Sequence, residues 1–170
     1  LSIRRQRQMC IRDRGNILLF NPADEQLLTL LRKGADRLLA WQHPDGSFDV
    51  AYDKQTRQPL YTDLTDLRPT FYGFVVAYRI LGDAKYLEAA RRGADWFVRN
   101  AVDKGSFLGV CGDTRFANDF ATGQSAQALL DLWEMTGDVR YKEAAIRTAR
   151  IYTASIYTLS LIHISEPTRP

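Results

Sequence analysis

Apolar residues recur at intervals of three and four along most of the chain, which is typical of helices that bury one face. Pro69 suits the first position of such a helix. The apolar positions that follow it are Phe71, Phe74, Val75, Tyr78 and Leu81. Gly82 would end this helix and Asp83 would cap the next, because a carboxylate accepts hydrogen bonds from free backbone N–H groups. A second helix over residues 84–99 completes a predicted helical hairpin.

The hairpin pattern recurs along the chain. Residues 81–97 (LGDAKYLEAARRGADWF) align with residues 136–152 (TGDVRYKEAAIRTARIY) at a shift of 55. A shift of 59 matches residues 32–36 with 91–95, and Gly-Ser-Phe at 46–48 with the same residues at 105–107. The third copy places its first helix from near Thr122, whereas the first copy shows only its second helix, from Pro22 to Trp41 with Asn21 as cap. The repeat predicts an all-α fold of stacked helical hairpins joined by loops at 43–68 and 103–119.

The two ends differ from the rest of the chain. Residues 4–14 (RRQRQMCIRDR) and 159–170 (LSLIHISEPTRP) are similar to translated sequencing-adapter DNA. We therefore expect residues 1–14 and 159–170 to belong to no domain. The 23 basic and 20 acidic residues of the whole chain become 17 and 18 in residues 15–158. The charge balance thus gives no support for a nucleic-acid partner.

Composition limits the remaining function classes. Residues 15–158 contain one Cys (Cys111) and one His (His43), which are too few for a Cys/His metal site. We expect neither a metal nor another cofactor. No apolar run approaches the about 20 residues of a membrane span, so we expect no membrane partner. The cellular compartment stays open.

Hairpins of about 55 residues with Gly-Asp-x-x-Tyr between their helices resemble those of the (α/α)6 toroids, the six-hairpin glycosidase-like group. The stretches 69–97 and 118–149 are most similar to hairpins of the unsaturated glucuronyl and rhamnogalacturonyl hydrolases. The resemblance implies that residues 15–158 are about two and a half hairpins, a partial arc of one toroid catalytic domain. It implies a parent glycoside hydrolase acting on unsaturated uronic-acid oligosaccharides. We expect the 170-residue chain alone to be inactive, because the other hairpins would carry half of the active site.

In such toroids the loops before the inner helices, the first helix of each hairpin, line a central cleft. Asp66 and Asp119 occupy comparable places before two successive inner helices. The resemblance implies that such an Asp is the general acid/base that hydrates a 4,5-unsaturated uronic acid. An Asp in front of a helix is also a common cap, and that alternative stays open.

Several residues near these acids suit an acidic oligosaccharide. Arg68 and Arg115 lie beside them in sequence, and a guanidinium group can bind a carboxylate through two parallel hydrogen bonds. Tyr52 and Tyr61, in a polar loop, could stack on sugar rings. Gln124 could donate a hydrogen bond to the substrate. His43, in Gln-His-Pro-Asp-Gly, is interpreted as a turn residue.

Three other functions remain open from the sequence. The same fold carries lyases and epimerases of uronic-acid polymers, in which Tyr or His transfers the proton. A terpenoid-cyclase-like toroid is suggested by the spacing Leu39-x-x-Gln42-x-x-Asp45-Gly46-Ser47-Phe48, without the acidic motif or zinc site that such enzymes need. The third is a non-catalytic helical-repeat module that binds a partner.

Overall fold

A computed structural model describes residues 15, 17–18, 21–109 and 120–164, with the backbone alone from 157 to 164. Its helices are α1 (Glu25–Leu39), α2 (Tyr72–Leu81), α3 (Ala84–Phe97), a π-helix (Val98–Val102), α4 (Phe120–Thr136) and α5 (Val139–Ile164). Strands β1 (Ala51–Tyr52) and β2 (Pro59–Leu60) pair antiparallel, with Ala51 opposite Leu60. The predicted all-α class is confirmed, because this sheet has only two residues in each strand.

Two helical hairpins follow the predicted turns. Gly82 lies between α2 and α3, and Gly137 lies between α4 and α5. Both have left-handed backbone conformations, with φ of 68° and 70°, in which a glycine has no steric penalty. The carboxylates of Asp83 and Asp138 each accept a hydrogen bond from the backbone N–H two residues further on, at 3.2 and 3.0 Å. The predicted ends and caps at these turns are confirmed.

The start of α1 differs from the prediction. Asn21 is not the cap. Instead, Asp24 accepts a hydrogen bond from the backbone N–H of Leu27 at 2.9 Å, and the helix begins at Glu25. The reason is a turn at Pro22 and Ala23, closed by a bond from the Asp24 N–H to the Asn21 carbonyl at 3.4 Å. This turn moves the first helical residue three positions along the chain.

Pro69 is likewise not the first residue of its helix. It lies in a turn in which its carbonyl accepts a hydrogen bond from the N–H of Tyr72 at 3.0 Å. The Thr70 hydroxyl donates to the carboxylate of Asp66 at 2.8 Å, so this segment is bonded back to the loop. As a result α2 begins at Tyr72, three residues later than predicted.

Three other helical segments are longer in the structure than the sequence predicted. The helix predicted from near Thr122 begins at Phe120. The helix predicted over 84–99 ends as an α-helix at Phe97 and continues as the π-helix to Val102. The last helix runs on to Ile164, so residues 159–164 extend it although their sequence resembles an adapter.

The second helices of the three copies, α1, α3 and α5, are joined by a repeated side-chain bond. The Tyr86 hydroxyl on α3 donates to Asp36 on α1 at 2.7 Å, and the Tyr141 hydroxyl on α5 donates to Asp95 on α3 at 2.9 Å. The tyrosines are equivalent in the 55-residue repeat and the aspartates in the 59-residue repeat. The sequence repeat is therefore also a repeat of contacts between helices.

Burial and the neighbouring carboxylate raise the pKa of Tyr86 to about 12. The pKa of Tyr141 is raised for the same reasons. The pKa of Asp36 is lowered, mainly by its hydrogen bond from Lys85 at 2.9 Å and then by the bond from Tyr86. The bond between Tyr86 and Asp36 therefore joins a neutral phenol to an ionised acid across the physiological pH range.

One hydrophobic core runs through all of the described α-helices, which pack side by side. The largest side chains with almost no exposed surface are Tyr86, Tyr141, Phe71, Phe74, Phe97, Leu18, Leu31, Leu38, Leu129 and Leu132. Apart from Leu18 and Phe71, they come from both helices of each hairpin and from α1. The core thus holds the hairpins together and leaves the loops between them at its edge.

Candidate functional site

The two loops that connect successive hairpins meet. The first loop, residues 40–71, joins α1 to α2, and the second, from residue 103, leads from the π-helix towards α4. The N–H of Leu108 in the second loop donates to the carbonyl of Leu67 in the first at 3.2 Å. This end of the molecule, which we call the loop end, carries four of the predicted site residues, namely Asp66, Arg68, Tyr52 and Tyr61.

Asp66 lies at the loop end, but its carboxylate is fully enclosed. The side chain has 0% exposed surface, and its two oxygens accept hydrogen bonds from Arg68 Nε at 2.6 Å and from the Thr70 hydroxyl at 2.8 Å. A substrate cannot reach this carboxylate without breaking the ion pair. Asp66 therefore stabilises the loop in the structure, whereas its place in the sequence suggested that it faces a substrate.

Arg68 is engaged in the same way. Its side chain is 12% exposed, and Nη2 donates to the carbonyl of Val50 at 2.8 Å while Nε donates to Asp66. The pair therefore fastens the segment before α2 to the strand region of the first loop. A guanidinium held in this way does not offer the two parallel donors that were expected for a uronate.

Two of the predicted site residues, Asp119 and Arg115, fall in the range 110–119, which lies outside the described residues. Gln124 is half-buried in the first turns of α4. The hydroxyl of Thr122 is fully buried and has no hydrogen-bond partner, so Thr122 does not cap α4 through its side chain.

The two tyrosines predicted to stack on sugars differ in exposure. Tyr61 is 62% exposed and has a left-handed backbone conformation with φ of 57°, which is uncommon for a bulky side chain. Tyr52 is only 6% exposed, since its ring stacks on that of Trp41 with centroids 4.6 Å apart. Tyr61 is thus accessible to a ligand, whereas Tyr52 is part of the loop's own packing.

A cluster that the sequence analysis missed surrounds Asp49. Its Oδ2 atom accepts a hydrogen bond from the Tyr52 hydroxyl at 2.5 Å and lies 3.1 Å from Nε2 of His43. The His43 side chain is 47% exposed and that of Asp49 is 26% exposed. His43 also occupies the predicted turn, with its carbonyl accepting from the Gly46 N–H at 2.9 Å. The sequence signalled the turn, but no spacing rule marked Asp49 as the acceptor of both side chains.

The other aspartates of the first loop stabilise turns. Asp45 accepts hydrogen bonds from the side chain and the backbone N–H of Ser47, which lower its pKa. Asp53 accepts from the backbone N–H and the hydroxyl of Thr56, and these bonds lower its pKa. Both carboxylates are thereby kept ionised and committed to the loop's own backbone.

The segment from Gln42 to Gly46 fastens the first loop to α3. The Gln42 amide donates to the Ala89 carbonyl at 2.9 Å and accepts from Arg92 at 2.9 Å. Gly46 has φ of 95°, and a Cβ there would lie 2.2 Å from the Arg92 carbonyl oxygen. These contacts give a purely structural reason for the Gln42-x-x-Asp45-Gly46 spacing.

A further carboxylate is buried between α2 and α4, the first helices of the two hairpins. Asp131 accepts hydrogen bonds from the Tyr72 hydroxyl at 2.8 Å and from the Gln127 amide at 2.7 Å. A guanidinium nitrogen of Arg79 lies 3.8 Å away. Both carboxylate oxygens are bonded, so this cluster joins helices and has no free acceptor for a ligand.

Away from the loop end, an open groove of about 440 Å³ lies between α3 and α5. Four of its charged groups are already paired: Arg147 lies 2.9 Å from Asp103, and Arg140 lies 3.9 Å from Asp95. Among the described residues no group of three or more His, Cys, Asp or Glu side chains could hold a metal ion. No helix within the described part is both long enough and apolar enough to cross a membrane.

Comparison with known proteins adds no assignment. No protein-family model matches the sequence, and no curated protein matches it. The functional argument therefore depends on the repeat, the loop end and the chemistry of the side chains there.

Proposed function

We propose that the chain is part of a carbohydrate-active enzyme built on an (α/α)6 toroid, a glycoside hydrolase acting on unsaturated uronic-acid oligosaccharides. The observation that carries the proposal is the repeated hairpin, whose Tyr–Asp bond joins α1 to α3 and α3 to α5 in the same way. A repeating contact of this kind adds hairpins side by side, and stacked hairpins create an extended surface lined by their loops.

The meeting of the two inter-hairpin loops supports the position of the cleft. Leu108 and Leu67 connect the loops directly, and the exposed Tyr61 and the Asp49 cluster belong to the same loop end. Aromatic rings beside hydrogen-bonding groups are suited to the two faces of a sugar. The loop end is where we place the oligosaccharide.

Asp119 is the residue that we propose as general acid/base. Asp66, the other candidate, is enclosed by its ion pair with Arg68. In the proposed reaction Asp119 gives a proton to the 4,5 double bond of the terminal sugar and accepts one from the attacking water. No cofactor is required, because one carboxyl group can both give and take the proton.

The test is an ultraviolet assay on the full-length parent protein. Hydration of the double bond in an unsaturated uronic-acid disaccharide removes its absorbance, and we expect this loss. A lyase acting on a saturated uronic-acid polymer would instead create the absorbance. A gain, or no change with either substrate, would contradict the proposed hydrolase.

A matched pair of variants tests the assigned residue. Asp119→Asn should abolish turnover while binding of the disaccharide persists, because an amide cannot give or take the proton. Asp138→Asn changes an aspartate that caps α5 at a hairpin turn, and it should leave turnover unchanged. Equal activity of the two variants would remove Asp119 from the mechanism.

A further inference from the structure

The repeated contacts between the second helices use opposite sides of each helix. On α3, Tyr86 contacts α1 and Asp95 contacts α5. These residues are nine positions apart, and nine steps of about 100° place them about 180° apart around the helix. The same spacing on α5 places Arg150 opposite Tyr141, which contacts α3. The side of α5 that carries Arg150 therefore faces away from α3.

The Tyr–Asp bond has no acceptor at this place on α5. Arg150 is equivalent to Asp95 in the 55-residue repeat, so a guanidinium group replaces the carboxylate. Arg150 is exposed, and among the described residues it forms neither a hydrogen bond nor an ion pair. A guanidinium group has only donors, so it cannot accept the bond that a tyrosine hydroxyl gives to Asp95. The acceptor that it binds most strongly is an ionised carboxylate.

The same side of α5 also carries large apolar residues. Val139 is 57% exposed and Ile146 is 43% exposed. Ile146 lies one turn before Arg150 and Val139 lies three turns before it, so the three side chains share one side of the helix. The equivalent residues of α3 are Ala84 and Arg91, so α5 is the more apolar helix on this side. Neighbouring exposed apolar side chains are typical of a surface that binds another element.

On α3 the equivalent side is partly covered by the next helix. Asp95 and Val98 are both half-buried beside α5. Their equivalents on α5, Arg150 and Thr153, are both exposed. The described part of the chain therefore leaves this side of α5 uncovered. A helix that packed here as α5 packs on α3 would cover it with the geometry already seen twice in the fold.

We propose that this side of α5, defined by Val139, Ile146, Arg150 and Thr153, binds an amphipathic helix that presents a carboxylate to Arg150. The occupant is the second helix of another hairpin, and this choice rests on the proposed function, in which hairpins stack side by side. By continuity of the repeat, the carboxylate takes the place of the repeated tyrosine. Glutamate is shorter than tyrosine and arginine is longer than aspartate, so a Glu–Arg pair spans a similar gap. We expect such a hairpin to contain Gly-Asp-x-x-Glu instead of Gly-Asp-x-x-Tyr.

The probes are two synthetic peptides with the sequence of residues 82–102, one carrying Tyr86→Glu and the other Tyr86→Lys. Each peptide is labelled with fluorescein, and its binding to the 170-residue chain is followed by fluorescence anisotropy at low salt. We expect the Glu peptide to bind about fivefold more tightly than the Lys peptide, which is the scale of one exposed ion pair.

Substitutions on the chain test the pairing. Arg150→Glu should reverse the preference, so that the Lys peptide binds more tightly. Arg37→Glu is the matched control, because it makes the same change of charge at an exposed residue of α1, and it should leave the preference unchanged. Ile146→Ser should weaken binding of both peptides about threefold, since it removes apolar contact area without changing the charge.

Three results would overturn the interface. They are equal or undetectable binding of the two peptides, an equal change of preference by Arg150→Glu and Arg37→Glu, and self-association of the chain that Arg150→Glu abolishes. The last result, measured by analytical ultracentrifugation, would assign a second copy as the occupant. If Arg150→Glu fails to fold by circular dichroism, Arg150→Gln decides, because a neutral side chain should bind both peptides equally.

The peptide assay is independent of sugar binding and of turnover. An active parent protein together with equal binding of the two peptides therefore contradicts the interface alone. An inactive parent protein together with the expected preference contradicts the hydrolase alone.

Discussion

Replacing Tyr86 by phenylalanine tests whether the repeated Tyr–Asp bond stabilises the fold. The change removes one hydroxyl from a residue with no exposed surface, and it leaves the ring in the core. The lost bond is the 2.7 Å contact between Tyr86 and Asp36. Lys85 remains 2.9 Å from the carboxylate, so Asp36 keeps a partner.

The expected loss of stability depends on how exposed the acceptor of the bond, Asp36, is. A hydrogen bond to a charged group contributes about 1.5–3 kcal/mol to stability. The Asp36 side chain is 46% exposed, so water replaces part of what the phenol supplied. We expect Tyr86→Phe to lower the free energy of unfolding by about 1–2 kcal/mol.

The pH dependence of the same bond has a defined sign. The pKa of Tyr86 is raised to about 12 by burial and by the neighbouring Asp36, whereas a free phenol has a pKa near 10. The folded chain thus holds the phenol proton more tightly than the unfolded chain does. The contribution is fully present below pH of about 10 and is lost as the pH rises towards about 12.

Urea denaturation followed by circular dichroism measures the effect. Tyr78→Phe is the matched control, because in the described structure the Tyr78 hydroxyl makes no hydrogen bond, and its loss should change stability little. A double-mutant cycle with Asp36→Ala should give a coupling of about 1 kcal/mol. A change within about 0.3 kcal/mol for Tyr86→Phe, which is within additivity error, would refute the stabilising role.

Three further substitutions test individual features of the fold by the same denaturation assay. Asp66→Ala leaves a buried guanidinium unpaired and should cost about 3–5 kcal/mol, and a loss below about 1 kcal/mol would mean that the pair is solvated. Gly46→Ala should destabilise by at least about 1–3 kcal/mol, because it adds a Cβ at φ of 95° and 2.2 Å from a carbonyl oxygen; an unchanged midpoint would contradict that close approach. Asp24→Ala should cost about 1 kcal/mol while Asn21→Ala costs little, and the reverse order would restore Asn21 as the cap of α1.

The hairpins could be predicted because their signals are local. Gly82 and Asp83 decide the turn from their own backbone conformation and side-chain reach, and the structure places both as expected. The boundary at Pro69 could not be predicted, because the bond from Thr70 to Asp66 competes with the first turn of the helix. A helix start is decided by such small differences in bonding, so it depends on the surrounding loop.

The Tyr–Asp bonds are harder to predict than the hairpin turns and easier to predict than the helix start near Pro69. Their partners are 50 and 46 residues apart, beyond any local rule. Yet both partners recur with the repeat, Tyr86 as Tyr141 and Asp36 as Asp95, and that paired recurrence was a signal for a contact between copies. The Asp49 cluster occurs once, in a single loop, so no recurrence in the sequence distinguished Asp49 from its neighbours.

The hydrogen-bonding state of the loop-end aspartates decides which of them can serve a ligand. Asp66 has both oxygens bonded within a closed ion pair, and Asp45 and Asp53 hold turns through the backbone N–H groups that follow them. The Asp66 carboxylate would have to give up an internal bond before it accepted one from a sugar. Asp45, Asp49 and Asp53 differ from Asp66, because in each of them a single oxygen accepts all of the internal hydrogen bonds. Sequence position before a helix directed attention to Asp66, but the bonding of the carboxylate oxygens, which only the fold shows, directs it to these three aspartates.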